Sequence, residues 1–230
     1  MVSWRWAYVA TLVLTAASIA CIILFGSPPD LGSAPMADGF SSPILALELA
    51  RTSQDLAFLQ GPDAAGLRAY LVEVQALDWY FPPAYAGMAA AFFLAASLER
   101  GPMPWKPVLA WIGLTLALVT IPADYLENRV INQILADLGR GEDPSGRLGA
   151  LQVATWLKWS AIGLYSLVTS LVLASRGRRI LAVPGVLAAL SVAAAFLVLP
   201  NGQGAEVMAI LLIPSFLVYP VVAVLQLRRR

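Results

Sequence analysis

The sequence predicts an all-α fold: a polytopic membrane helix bundle of six transmembrane helices with a helical insert on its outer face. Three observations carry this. Of 230 residues, 59% are hydrophobic and only 13% charged, where a soluble domain carries about a quarter charged residues. The apolar residues fall in six runs, each long enough as a helix (~20 residues) to cross a hydrocarbon core of ~30 Å. One polar stretch, 26–76, separates the first two runs. The chain reads as a single membrane domain, 1–230, with 26–76 as the insert.

The spans are expected at Trp6–Phe25, Leu77–Leu98, Trp105–Tyr125, Leu148–Ser175, Ile180–Pro200 and Glu206–Leu227. The first reads as a retained helix, because its apolar stretch is longer than a signal-peptide core. Placing the N-terminus in the cytoplasm puts Arg5, Arg100, Lys106, Arg176, Arg178, Arg179, Arg228, Arg229 and Arg230 on that side. Those are nine of the fifteen basic residues, opposed there by one acid, Glu99. The positive-inside rule therefore predicts both termini in the cytoplasm; the arginine-dominated basic residues and abundant alanine fit a GC-rich bacterium, and hence its inner membrane.

The insert opens with a Gly/Pro/Ser-rich loop (26–43). Ser42-Pro43 then reads as an N-cap and first helical position, opening a helix through "ILALELARTSQDLAFLQ" with Arg51 and Asp55 paired at i,i+4. Gly61-Pro62-Asp63 ends it. A second arm carries Leu67, Tyr70, Leu71, Val74, Leu77 and Phe81 on one stripe and runs into the second span. Pro82-Pro83 should kink or begin that span. Trp79, Tyr80, Phe81 and Tyr85 read either as an interfacial aromatic belt or as a substrate-facing aromatic wall. Small residues in span 2 (Gly87, Ala89, Ala90, Ala91) and span 5 (Ala188, Ala189, Ala193, Ala194) suit close helix contacts. Residues 139–146 read as a solvent loop and 201–204 as a tight hairpin between spans 5 and 6.

Several chemistries are excluded at once. The chain has no histidine, so it cannot supply a Ser-His-Asp triad, a Cys-His dyad, or histidine-ligated zinc or haem. The single cysteine, Cys21, can form no internal disulfide and reads as a small buried hydrophobe. No cofactor motif is present. A net charge of +1 without a basic, aromatic-interleaved patch argues against nucleic acid. The expected partners are membrane lipids and other membrane-protein subunits.

What remains is a set of polar residues near the outer ends of spans 2–4. Asp124 lies ~27 Å along the helix from Lys106 and shares a face with Asn128 and Ile131, with Glu127 beside it. The apolar periodicity continues through Val130, Ile131, Ile134 and Leu135, so this helix should project past the membrane and pack on the insert. Lys158 lies ~16 Å along its helix from Arg147. An ammonium that deep costs roughly 2.5–3.5 kcal/mol unless it finds water, a partner or its rim. Thr155 and Gln152 extend a polar stripe on the same helix. The expected cluster is Asp78, Asp124, Glu127, Asn128, Thr155 and Lys158, with Lys158 pairing Asp124. It reads either as a lock that holds three helices in register or as a site for a polar head group, ion or proton.

These residues also carry a resemblance. "LDWYFPPAYAGM" (77–88), "ADYLENRVI" (123–131), "ATWLKW" (154–159) and "GLRAYL" (66–71) resemble motifs of a group of bacterial multi-pass membrane proteins with no assigned activity. The resemblance implies that Asp78, Tyr85, Asp124, Glu127, Asn128, Thr155 and Lys158 form the group's polar signature. Pro82-Pro83 departs from the group's usual single proline.

Three functions compete. The first is a non-enzymatic accessory, assembly or lipid-contacting subunit of a membrane complex. The second is a small ion-coupled transporter using Lys158 and the carboxylates. The third is an outer-leaflet lipid-directed enzyme, with Asp78, Asp124 and Glu127 as acid, base or cation ligands.

Overall fold

The computed structural model describes residues 3–28, 36–37, 39–99, 106–198 and 202–228, and every regular element among them is helical. The elements are α1 (Trp4–Phe25), α2 (Pro43–Glu48), a 3-10 helix (Ser53–Leu59), α3 (Ala65–Asp78), α4 (Phe81–Leu98), α5 (Lys106–Gly139), α6 (Ser145–Ala174), α7 (Arg179–Val198) and α8 (Gly202–Leu227). Six helical segments are long and apolar enough to cross a membrane: α1, α3 with α4, α5, α6, α7 and α8. The chain is a multi-pass membrane protein.

α1 packs on α4, and from α4 onward each spanning helix packs on the next in sequence. α8 packs back on α1, so α1, α4, α5, α6, α7 and α8 close a ring. Large buried side chains fill its interior, among them Tyr8, Phe92, Phe93, Tyr165, Met208 and Tyr219. Phe92 sits at the centre, with edge contacts to Phe93 (5.4 Å), Tyr219 (5.1 Å) and Tyr8 (6.4 Å). At the end of the ring that holds the start of α1 and the end of α8, Arg176 bonds Glu99 at 2.9 Å. Arg176 also reaches the Tyr8 hydroxyl and the Ala96 carbonyl.

Close approach depends on small residues. A Cβ on Gly185 would collide with the Ser166 carbonyl and the Ser170 hydroxyl, and one on Gly113 would enter the Phe93 ring. The inward face of α7 is Ala182, Gly185, Ala188, Ser191, Val192 and Ala195. Of the alanines expected there, Ala188 is buried, whereas Ala193 and Ala194 are exposed.

α5 is longer than a hydrocarbon core needs. Its 34 residues make ~51 Å of helix, and it continues past Pro122 as its apolar periodicity requires. Beyond the ring it supplies Ile131, Ile134, Leu135 and Leu138 to a second core, with Leu148 and Leu151 of α6 and Leu47, Leu56, Phe58 and Leu59 of the insert. The insert thus caps one end of the ring. Ser41 and Ser42 donate their backbone N–H groups to Glu206 of α8, both at 2.8 Å. Ser53 donates to Asp143 at 2.6 Å. Arg147 and Arg140 both bond Asp137, tying the end of α5 to the start of α6.

The expected elements are largely present, with local corrections. Ser42 caps α2 by accepting from the Leu45 N–H, with Pro43 at the first position. The expected single helix then breaks after Glu48, because Thr52 and Asp55 form a capping box that starts the 3-10 turn. Asp55 therefore accepts from the backbone N–H groups of Arg51 and Thr52 rather than pairing with the Arg51 side chain. Pro82-Pro83 falls in the first turn of α4, where the missing donors have no intrahelical acceptor to lose, so the helix begins there. Gly202, Gln203 and Gly204 form the first turn of α8 rather than a hairpin; Asn201 lies outside the described residues, as do Arg100, Trp105, Pro200, Arg229 and Arg230. Cys21 is half-buried and unpaired.

Substituting Gly185 by Val should separate α6 from α7. Overpacking of this kind costs about 1–3 kcal/mol, read as a lowered thermal midpoint of the detergent-purified protein; Ala193→Val, facing outward, should leave the midpoint unchanged.

Candidate functional site

Lys158 is the centre of a polar cluster where the insert meets the ring. The helix positions it: Thr155 and Lys158 project from one face of α6, and Asp124, Glu127 and Asn128 from the facing side of α5. Lys158 is 5% exposed and Glu127 0% exposed, so neither charge is shared with bulk solvent. The Lys158 ammonium bonds Glu127 Oε2 closely, lies 3.0 Å from Glu48 Oε1 and 3.9 Å from Asp124 Oδ1. It also sits over the Trp159 ring, 4.8 Å from its centroid, a cation–π contact.

Each acid has a further partner. The Trp159 indole donates to Glu48 Oε2 at 3.2 Å. The Tyr85 phenol donates to Asp124 Oδ2 at 2.6 Å. Thr155 Oγ1 lies 2.6 Å from Glu127 Oε1 and 3.1 Å from the Glu48 backbone carbonyl. Gln152 donates to the Ala50 carbonyl at 2.8 Å. Glu48 and Ala50 belong to the insert, so the cluster fastens the cap as well as joining α5 to α6. Burial pushes the Glu48 carboxyl above the usual carboxylate range, while the Lys158 ammonium and Trp159 indole pull it back.

All the expected residues except Asp78 are buried. Asp78, at the end of α3, is half-buried and stands within electrostatic reach of Asp124 and Lys158, making it the member nearest the surface. Asn128 is 1% exposed, and its Nδ2 has no hydrogen-bond partner among the described residues; the Tyr165 hydroxyl is in the same position. The expected Lys158–Asp124 pair is the loosest of the three. Glu127, one helical turn further along α5, and Glu48 stand closer.

Sequence reasoning missed Glu48 and Trp159. A signal for Glu48 existed: it is the lone acid in the apolar run "ILALEL", and an acid on the buried stripe of a short helix demands a cation. The aromatic belt also divides. Trp79 and Tyr80 are exposed at 48% and 70%, as interfacial residues should be, but Tyr85 is buried and bonded to Asp124.

Chemically, the cluster offers carboxylates, one ammonium, a phenol and a hydroxyl, with an excess of acid over base. An ammonium occupies the position that a cation would take among these carboxylates. No group of three or more His, Cys, Asp or Glu arranged to hold a metal ion occurs among the described residues.

No protein-family model, no curated protein and no solved structure matches the chain.

Removing one member should cost more than removing a pair. Lys158→Met strands buried carboxylates, a loss of about 3–5 kcal/mol that should sharply lower the thermal midpoint. Adding Glu48→Gln, which removes a charged partner of the ammonium, should restore much of it. A double variant no more stable than Lys158→Met would show that the two side chains are not coupled.

Proposed function

We propose that the chain is a non-enzymatic subunit of a bacterial inner-membrane complex. In this reading it serves assembly or lipid contact and carries a polar ligand site in the outer leaflet. Both termini face the cytoplasm and the insert caps the periplasmic end. The positive-inside distribution of Arg5, Arg176, Arg178, Arg179 and Arg228 supports this orientation; all five sit at the end of the ring opposite the insert.

The observation that carries the reading is the contrast between inside and outside. Within the chain, Lys158 and its acids are spent largely on each other and on holding the cap. Outside, α1 buries only Ala7, Tyr8, Thr11 and Ser18, and presents Trp6, Val13, Ile19, Ile22, Ile23 and Leu24. α7 likewise presents Ile180, Leu190, Leu197 and Val198. In hydrocarbon such faces are solvated by lipid or by another protein's helices, and they are where a subunit makes its contacts.

A second reading has its own observation. Three carboxylates surround one ammonium, and half-buried Asp78 links them to the surface, which suits an ion-coupled carrier. Against it, the ring beyond the cluster is filled by Tyr165, Phe92, Phe93 and Tyr219, and its buried polar groups there are hydroxyls such as Thr169 and Tyr219, with no further carboxylate or ammonium beside them among the described residues.

Extraction from the native membrane in polymer nanodiscs, followed by mass measurement, tests the first reading. A particle containing a second protein is expected; a lone monomer overturns it. Reconstituted liposomes test the second: a gradient-driven flux that disappears in Lys158→Met would favour the carrier.

A further inference from the structure

We propose that the cluster is a proton-binding site: one exchangeable proton resides on Glu127 Oε1, shared with Thr155, and its presence keeps the insert docked through Glu48. This rests on the reading of the cluster as a ligand site and names the ligand.

Hydrogen-bond stoichiometry carries the assignment. Thr155 Oγ1 has one proton and faces two acceptor atoms, Glu127 Oε1 at 2.6 Å and the Glu48 carbonyl at 3.1 Å. It cannot donate to both. A proton on Glu127 Oε1 resolves the conflict. Glu127 then donates to Thr155, and Thr155 donates to the Glu48 carbonyl. Glu127 Oε2 remains free to accept from Lys158.

The other carboxylates are less suited. Both Glu48 oxygens already receive protons, from Lys158 and Trp159, so an added proton would meet a donor. Asp124 Oδ2 receives the Tyr85 phenol proton, and an added proton on its Oδ1 would face the Lys158 ammonium 3.9 Å away; Asp78 is half-buried, so its charge is the one water can share. The charge balance points the same way. Glu48 of α2, Asp124 and Glu127 of α5 and half-buried Asp78 of α3 face a single cation, Lys158 of α6. The neighbouring phenols, Tyr85 of α4 and Tyr165 of α6, are neutral. Four negative charges around one ammonium is not a composition a buried site sustains, since like charges a few ångströms apart disfavour ionisation of all of them.

Two buried donors border the cluster's other acids. The Tyr165 hydroxyl, 0% exposed, stands within electrostatic reach of Asp124, and the Asn128 side chain lies towards Asp78; neither the Tyr165 hydroxyl nor Asn128 Nδ2 makes a hydrogen bond of good geometry among the described residues.

The consequence follows from the same atoms. On release the Glu127 O–H bond breaks, the electron pair stays on the carboxylate, and the proton passes to water. Thr155 then turns its own proton to Glu127 Oε1 and abandons the Glu48 carbonyl. A new anion simultaneously faces the Glu48 carboxylate. Both changes loosen α2. The docked form holds one proton more than the undocked form, so docking weakens as pH rises.

Infrared spectroscopy of the full-length protein in lipid nanodiscs tests the proton directly. A protonated-carboxyl C=O band that shifts in D₂O is expected at neutral pH, absent in Glu127→Gln, displaced in Thr155→Val and unchanged in Asp63→Asn. The amide introduced by Glu127→Gln keeps an acceptor toward Lys158 and a donor toward Thr155, so this variant should fold. No such band, or a band lost in Glu48→Gln but retained in Glu127→Gln, overturns the assignment.

Docking is read by maleimide labelling of Leu56→Cys, buried in the insert core, on a Cys21→Ser background. Its rate, relative to the same reporter carrying Glu127→Gln, should rise with pH, approaching about tenfold per pH unit, the limit for one proton. A ratio independent of pH overturns the coupling. Assembly is read by particle mass and protonation by the carboxyl band, so the subunit reading and this one fail separately.

Discussion

The arrangement of the capped end depends on one ammonium that cannot reach water. Lys158 is too deep in α6 for its stem to carry the charge to solvent, and an uncompensated charge there costs several kcal/mol. Its neutralisation draws carboxylates from separate segments: Asp124 and Glu127 from α5, Glu48 from the insert. A lysine thereby decides where a short helix more than a hundred residues earlier in the chain must dock. Thr155, Gln152 and Trp159 extend that decision along α6, since each donates to the insert or its acid. The geometry is specified by charge, because apolar contacts alone would leave the register of a six-residue helix free to slip.

The two cores are held by different physics. Within the spans, lipid is as apolar as leucine, so the ring gains little from hiding hydrophobic side chains and relies on close packing. Gly113 against Phe93 and Gly185 against Ser166 are contacts of that kind. The core under the cap, built from Leu47, Leu56, Phe58, Leu59, Ile131, Ile134 and Leu135, lies where α5 has outrun the hydrocarbon. There water supplies the driving force, at about 1.5–3 kcal/mol for each large side chain fully buried. The cap is therefore drawn down by hydrophobic burial and aligned by the Lys158 cluster.

Much of this was legible in the sequence, for reasons that differ by residue. The spans were legible because length and apolarity suffice to mark them. The overlong α5 was legible because Ile131, Ile134 and Leu135 keep helical spacing past Asp124. The cluster on α5 and α6 was legible because a charge in an apolar run demands a partner. The identity of the nearest partners was not. Periodicity places Asp124 and Glu127 on one face but does not say which the ammonium meets, and Tyr85 decides the matter by engaging Asp124. Glu48 was hidden by distance along the chain. The break after it was visible in Thr52 and Asp55, a capping pair that outweighs the i,i+4 spacing of Arg51 and Asp55, because the carboxylate finds two backbone donors closer than a guanidinium.

The two ends of the ring handle charge differently, and that asymmetry bears on function. At the termini, Arg176 meets Glu99 with the Tyr8 hydroxyl, the Ala96 carbonyl and Gln226 around them. One base faces one acid, and a guanidinium stays charged at any physiological pH. Such a pair is complete and has no reason to exchange protons. At the capped end the acids outnumber the base, a hydroxyl stands between two acceptors, and buried donors lack partners among the described residues. A lock alone needs none of this, since a single Lys–Glu pair would hold the register. The surplus acids enlarge the cost of burial without adding alignment, and that surplus is the feature the proposed proton on Glu127 accounts for.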